Sequence, residues 1–392
     1  MMNRTLIYKI VVLWLSSLML MLMATSCGSK DEPDIPPQPS REPVKRTVLV
    51  YMAACNSLGR GQYDIKDLNE MNIAIKSGAV DPDSRLIVFH ADAQGNQSLV
   101  ELTARGCDTL KKYDSKQMSV SIDRMKEVFT DAKKGAPAQA YGLILWSHGN
   151  GWTQNGVTES QMPPMLRTWG EERGRTMNIT SLERALDGQG FDYVYFDCCY
   201  MASVEVAYQL RHVTPMIVGS AIELPTDGMP YHLTLAYLTR STPDLVGAAT
   251  TTFNHYNRLT GEDRTCAMSV ISTSGLDRLA EVSHKVIQAS GRKTPLGYKP
   301  QKFQVESTCR YFDLEHYYNA LLQTVGDDEL KQEWEEALDN CVIYKASTPM
   351  LWNRLSLDAH SGLSSYILQP TADPTTKGYN TLSWYSDVVE VQ

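Results

Sequence analysis

The chain has 392 residues, 43% of them hydrophobic and 21% charged, with 37 basic against 45 acidic side chains and a formal charge of −8. Such a composition excludes a disordered or collagen-like polymer and leaves room for one large core, or for a core with an accessory unit. No run of Lys or Arg is dense enough to follow a phosphate backbone, which argues against a nucleic-acid partner.

The first segment places Arg4 and Lys9 ahead of and within an apolar stretch of export-signal length, and Ala24, Thr25 and Ser26 then lead into Cys27. A small-residue triplet before a cysteine resembles a bacterial lipobox. The resemblance implies a signal peptide over 1–26, cleavage before Cys27, and acylation of that cysteine to anchor the mature chain in the outer membrane. The following "SKDE" resembles the short signal of Bacteroidetes lipoproteins displayed at the cell surface. Residues 27–45, rich in proline and charge, read as a solvated tether. Apart from Cys27 seven cysteines remain. An odd number in an exported protein leaves at least one thiol free or paired outside the chain.

Beyond the tether, "RTVLVYMAA" from Arg46 is a β-branched apolar run and predicts a buried strand. A helix follows over "YDIKDLNEMNIAIKSG", a strand over "SRLIVFHADA", and a helix over "MSVSIDRMKEVFTDAKKG". "AYGLILWSHGNGW" predicts a third strand entering a glycine-rich loop. "NITSLERALDGQG" predicts a helix with Thr180 and Glu183 at capping-box spacing. "FDYVYFDCC" is a fourth strand, "YMASVEVAYQLRH" a helix and "VTPMIVGSAIE" a fifth strand. Strands that are apolar without alternation are covered on both faces. The order predicts an α/β/α sandwich with a mostly parallel sheet over 46–242. From 243 to 392 helical segments dominate, and this part reads as a C-terminal subdomain packed on the core.

In open α/β sheets, ligands bind at the carboxyl ends of strands. The third strand ends in His148 and Gly149, the fourth in Asp197, Cys198 and Cys199. Taken alone, adjacent cysteines are most often packing residues, and a loop histidine is most often structural. On neighbouring strand tips, a thiol and an imidazole supply the nucleophile and the general acid/base that acyl transfer needs.

"LILWSHGNGW" together with "FDCCYMASVEVAYQL" resembles the clostripain family of cysteine peptidases, in the clan of caspases, gingipains and legumains. The resemblance runs from about residue 46 to the C-terminus. It implies a caspase-like fold, Cys199 as nucleophile, Cys198 in an alanine slot, His148 as general acid/base, and backbone N–H groups of Gly149 and Cys199 as oxyanion donors. Asp197 becomes the pocket carboxylate that takes the Arg or Lys side chain before the scissile bond, with Glu223 and Asp227 as further acidic contacts. The partner is then a peptide or protein substrate and the chain a monomer. Self-cleavage in the loop 153–178 is expected after Arg167, Arg173 or Arg175.

Some positions depart from the family pattern. Cys55 stands where the first strand usually ends in an aspartate that is structural, or linked to calcium in some members, so the resemblance implies no required cofactor and makes calcium a doubtful one. Ala221 and Ile222 replace polar residues, and Met229 replaces a tryptophan. The rival reading is a weak or inactive surface lipoprotein that binds peptide or glycan on the same scaffold. A thiol or metal site at Cys198 and Cys199 is disfavoured, because adjacent cysteines make a strained disulfide and a poor chelate.

Overall fold

The computed structural model describes residues 41–153, 168–306, 309–368 and 378–390. The expected signal peptide, Cys27, most of the tether and Arg167 lie outside the described residues.

In chain order the elements are β1 (Val44–Ala53), α1 (Tyr63–Lys76), β2 (Ser84–Ala91), β3 (Gln97–Thr103), β4 (Gly106–Tyr113), α2 (Ile122–Gly135), β5 (Ala138–Trp146), β6 (Trp169–Glu172), β7 (Arg175–Met177), α3 (Ile179–Leu186), β8 (Tyr193–Asp197), α4 (Val204–Gln209) and β9 (Met216–Gly219). Then come α5 (Tyr231–Leu238), α6 (Leu245–Asn257), β10 (Ala267–Ser272), α7 (Leu276–Ser290), β11 (Phe312–Asp313), α8 (Leu314–Val325), α9 (Asp328–Asp339) and β12 (Val342–Ser347). A nine-stranded sheet runs in the order β12-β10-β9-β8-β5-β1-β2-β3-β4. Its centre, β9-β8-β5-β1-β2, is parallel, and antiparallel strands extend it at both ends. This is the α/β architecture with a parallel centre that the strand–helix alternation predicts.

The unbroken apolar runs have a direct cause. Successive residues of a strand point to opposite faces, and both faces here are cores. In β1, Leu49, Tyr51 and Ala53 enter one cluster while Val48, Val50 and Met52 enter the other. β5 and β8 divide the same way, with Leu143, Leu145, Val194 and Phe196 on one side and Ile144, Trp146, Tyr193 and Tyr195 on the other. Helices α2, α3, α4 and α7 bury residues in the first cluster, and α1, α5 and α6 in the second.

Several sequence expectations need correction. The chain between 97 and 113 forms a hairpin, which polar residues such as Asp108, Lys111 and Lys112 on β4 conceal. The helix after the cysteine pair starts at Val204, capped by Ser203, whose hydroxyl accepts from the Val206 N–H. Helix α3 has no side-chain cap at Asn178. Thr180 lies inside its first turn, and Glu183 accepts from the Gln209 amide at 2.6 Å. The C-terminal part is less helical than expected, since β10 and β12 join the main sheet.

Glu205 ties the helix after β8 to the far end of the chain. Its carboxyl is fully buried and accepts the Tyr366 N–H at 2.7 Å, with the Tyr379 hydroxyl at 3.4 Å. Among the described residues its hydrogen-bond partners are uncharged, and burial pushes this carboxyl up to about 7. An unfolded chain releases that proton near pH 4.3. Between these values the unfolded state binds fewer protons, so stability falls as pH rises from about 4.3 to 7, by on the order of 3 kcal/mol in total. Glu205→Gln does not titrate. In urea unfolding, the stability difference between variant and wild type is expected to shift in the variant's favour by that order from pH 5 to pH 8. An identical difference at both pH values refutes the assignment.

Candidate active site

The two strand tips meet because β5 and β8 are parallel neighbours with Trp146 opposite Asp197. His148 and Cys199 each stand two residues beyond this matched pair, on the same edge of the sheet. Gly149 fits between the loops. A Cβ there would lie 2.5 Å from the Cys199 carbonyl oxygen and 3.0 Å from the Cys198 sulfur, an approach open only to glycine. The loop leaving β5 is pinned by a bridge between Gly149 and Trp169, in which Asn150 N–H donates to Thr168 and Gly170 N–H donates to His148. The Gly149 N–H takes no part in that bridge.

Beyond Cys199 the backbone turns sharply. Tyr200 has a φ of 61°, a left-handed conformation that costs a non-glycine residue about 1 kcal/mol or more. Its N–H donates to the Ile222 carbonyl, and its ring stacks on Tyr311 at 4.6 Å between centroids. The Tyr311 hydroxyl in turn donates to the Asn150 carbonyl, so one stack braces both loops.

His148, Cys199, Asp197, Trp146, Glu223 and Gly228 line a cleft of about 100 Å³. Cys198 is buried beside it, and burial pushes its thiol well up. The Cys199 sulfur accepts the Leu224 N–H at 3.4 Å. Burial, then the Glu223 carboxylate, pushes the Cys199 thiol up to about 12, against the opposing Leu224 hydrogen bond. The resting sulfur is therefore a neutral thiol. Glu223 accepts the Trp352 indole N–H at 2.9 Å, and burial raises its own carboxyl.

Asp197 is 5% exposed, and its oxygens accept the Met229 N–H at 2.8 Å and the Tyr231 hydroxyl at 2.9 Å. Gly228, at a φ of +63°, leaves open the space over this carboxylate; a Cβ would stand 2.9 Å from Oδ1. Burial raises Asp197, and the two hydrogen bonds oppose the rise. Beneath Trp146 lies a second buried carboxyl, Asp67, which accepts the indole N–H at 2.6 Å. Burial, then the charge of Asp197, pushes Asp67 up.

Not every expected residue reaches this cleft. Asp227 is turned away and pairs with Lys66 at 2.7 Å on the surface, because the chain reverses at Gly228. Arg173 and Arg175 stand on the exposed β6–β7 hairpin, Arg173 at its turn with a φ of 51°. Cys55 is buried, with its sulfur 3.8 Å from the Ala93 carbonyl. Among the described residues the seven cysteines are free thiols, and no group of three His, Cys, Asp or Glu side chains is placed to hold a metal. Ser57, Asp67, Glu171 and Trp352 sit in or under the site without a sequence signal, since each is brought there from a distant element.

A family model of the clostripain family, Peptidase C11, matches residues 50–387. No match was found among curated proteins. Among solved structures, a secreted C11 cysteine protease from Bacteroides thetaiotaomicron in complex with an irreversible peptide inhibitor is 31% identical, with a TM-score of 0.74 over 87% of this chain and 98% of that one. An inactive zymogen C11 protease from Parabacteroides distasonis is 27% identical, with a TM-score of 0.75 over 89% and 99%. A second secreted protease of Bacteroides thetaiotaomicron, iotapain, shares the fold at 22% identity, with a TM-score of 0.77 over 88% and 100%. A match that spans both loops of the cleft and continues almost to the C-terminus means that the chain belongs to the clostripain family and is a cysteine peptidase.

Proposed function

We propose that this peptidase hydrolyses peptide bonds after arginine or lysine, with Cys199 as nucleophile and His148 as general acid/base. The reading rests on one observation, the cleft that His148, Cys199 and Asp197 share. Because the resting thiol is neutral, the imidazole takes its proton as sulfur bonds to the scissile carbonyl carbon. The carbonyl electron pair moves onto oxygen, where the N–H groups of Gly149 and Cys199 receive it. Collapse breaks the C–N bond, and the imidazolium hands its proton to the leaving amine. Water, deprotonated by His148, then cleaves the thioester and the thiol is restored.

Asp197 is the acceptor for the basic side chain, reached over Gly228, and a planar guanidinium suits a carboxylate better than an ammonium does. A cation seated there also offsets the negative charge around the sulfur, so binding of the right substrate favours the thiolate. Glu223 adds to that charge, and Asp227 is left out of the pocket.

Self-cleavage in 153–178 is part of the proposal, supported by the zymogen state of the Parabacteroides relative. Arg167, Arg173 and Arg175 are the candidates, and the paired backbone of the hairpin disfavours the last two. Export is supported by secreted relatives, and anchoring at Cys27 by the small-residue triplet before it. Among the described residues no helix is long and apolar enough to cross a membrane.

Matched fluorogenic peptides ending in Arg, Lys, Asp and Leu are the direct assay, with the body from about residue 40 in reducing buffer. Hydrolysis after Arg or Lys is expected to survive Cys198→Ala and vanish in Cys199→Ala, which should also remain a single chain. Asp197→Asn is expected to lower kcat/KM for the Arg peptide by about 10–100-fold. Equal cleavage of all four peptides, or full activity in Cys199→Ala, rules the reading out.

The neutral resting thiol has its own consequence. Alkylation of Cys199 by iodoacetamide, followed by mass spectrometry of its peptide, is expected to keep rising with pH through pH 9. Glu223→Gln removes a negative neighbour, lowers the thiol pKa and should speed alkylation at pH 8 by roughly three- to tenfold. A rate that saturates below pH 7 would mean a preformed thiolate instead.

A further inference from the structure

One ring nitrogen of His148 carries two neighbours that the chemistry above leaves unused. Nε2 lies 2.7 Å from the Ser57 hydroxyl and 3.9 Å from Glu171 Oε2. The two partners come from different elements. Ser57 opens the short helical turn after β1, and Glu171 lies in β6, more than a hundred residues later.

A single buried amide sets both. Asn56 caps the turn by accepting the Leu58 N–H at 2.9 Å, and its amide donates to the Glu171 carbonyl at 3.0 Å, to Ser147 Oγ at 3.2 Å and to the Ala53 carbonyl at 2.8 Å. Ser147 Oγ also accepts the Glu171 N–H at 3.2 Å. The backbones that carry Ser57 and Glu171 are therefore anchored to the strand that carries His148.

We propose that Ser57 and Glu171 are positioning residues for His148: the serine hydroxyl holds the ring by Nε2 through the whole cycle, and the glutamate carboxylate favours the imidazolium. This rests on the reading of His148 as general acid/base. Ser57 is exposed, so its hydroxyl has no need of a protein partner, and the bond contributes little to stability. Its use lies in orientation. A hydroxyl can donate to a bare Nε2 or accept from a protonated one, so it holds either form of the ring in one place. Nδ1 is then the nitrogen that exchanges protons with the thiol and the leaving amine. The Glu171 side chain is 14% exposed, and its charge is only partly screened. The other ionisable groups facing the ring across the cleft are Asp197, Cys198, Cys199 and Glu223.

The test compares wild type, Ser57→Ala, Ser57→Thr and Glu171→Gln on an Arg peptide, with kcat referred to sites titrated by an irreversible peptide inhibitor. The His148 ring is titrated by NMR in the Cys199→Ala background, its signal assigned by loss in His148→Gln. Ser57→Ala is expected to lower kcat about tenfold with KM unchanged, and Ser57→Thr to recover most of it. Glu171→Gln is expected to move the acid limb of kcat/KM and the ring titration down together by about half to one pH unit. A destabilised fold would reduce titrated sites without moving either. An active wild type in which Glu171→Gln leaves acid limb and ring titration unmoved, or Ser57→Ala keeps full kcat, overturns the proposal. A wild type that cleaves no peptide, with the ring titration still shifted by Glu171→Gln, supports the pairing and removes the peptidase role of His148 instead.

Discussion

The parallel pairing of β5 with β8 is the constraint on which the rest depends. Its register sets Trp146 against Asp197 and brings the two loops off the sheet at one level. Because both faces of these strands are buried, the register is strongly specified. A slip of one residue would move Leu145 and Phe196 out of one core and Ile144 and Tyr195 out of the other. The same packing that gives the protein its core thus sets the separation of its histidine and its cysteine. Gly149 then lets the loops close on each other where any side chain would collide with the Cys199 carbonyl.

The C-terminal part of the chain braces the two loops that carry the site. Trp152, just past the histidine loop, is fully buried against Tyr366 and Tyr379, with ring centroids 4.9 and 4.8 Å away. Ser364 N–H donates to the Ala202 carbonyl just past the cysteine turn, and Glu205 accepts the next but one N–H, that of Tyr366. The loops are therefore held by aromatic packing on one side and by a buried carboxyl on the other. A turn as constrained as that at Tyr200 persists because its surroundings hold it in place.

Charge gives the cleft its chemical character. Asp197 and Glu223 face it, Asp67 lies beneath the indole of Trp146, and among the described residues that line it there is no lysine or arginine. In such buried and acidic surroundings a thiolate is disfavoured. Lys66, whose charge acts on Asp67, is paired with Asp227 on the surface. Burial raises the thiol first, and the carboxylates that make the pocket acidic raise it further.

The sequence by itself determined the strand–helix order, the two-faced burial of β1, β5 and β8, and the placement of His148 and Cys199 at strand ends. These follow from local patterns, since an apolar run of strand length followed by a glycine-rich loop or a cysteine pair is read within a few residues. Adjacent Cys198 and Cys199 were separable only through a family resemblance, because composition and spacing treat two neighbouring thiols alike. The polar strand β4 and the late strands β10 and β12 escaped reading, as their pairing comes from distant partners and not from their own periodicity. Only the tertiary structure decided that Asp227 turns to Lys66, that Trp352 reaches Glu223 from 129 residues away, and that Ser57 and Glu171 meet one nitrogen of His148. Each of those contacts is set by where long-range packing delivers a side chain, and no local pattern in the chain encodes that.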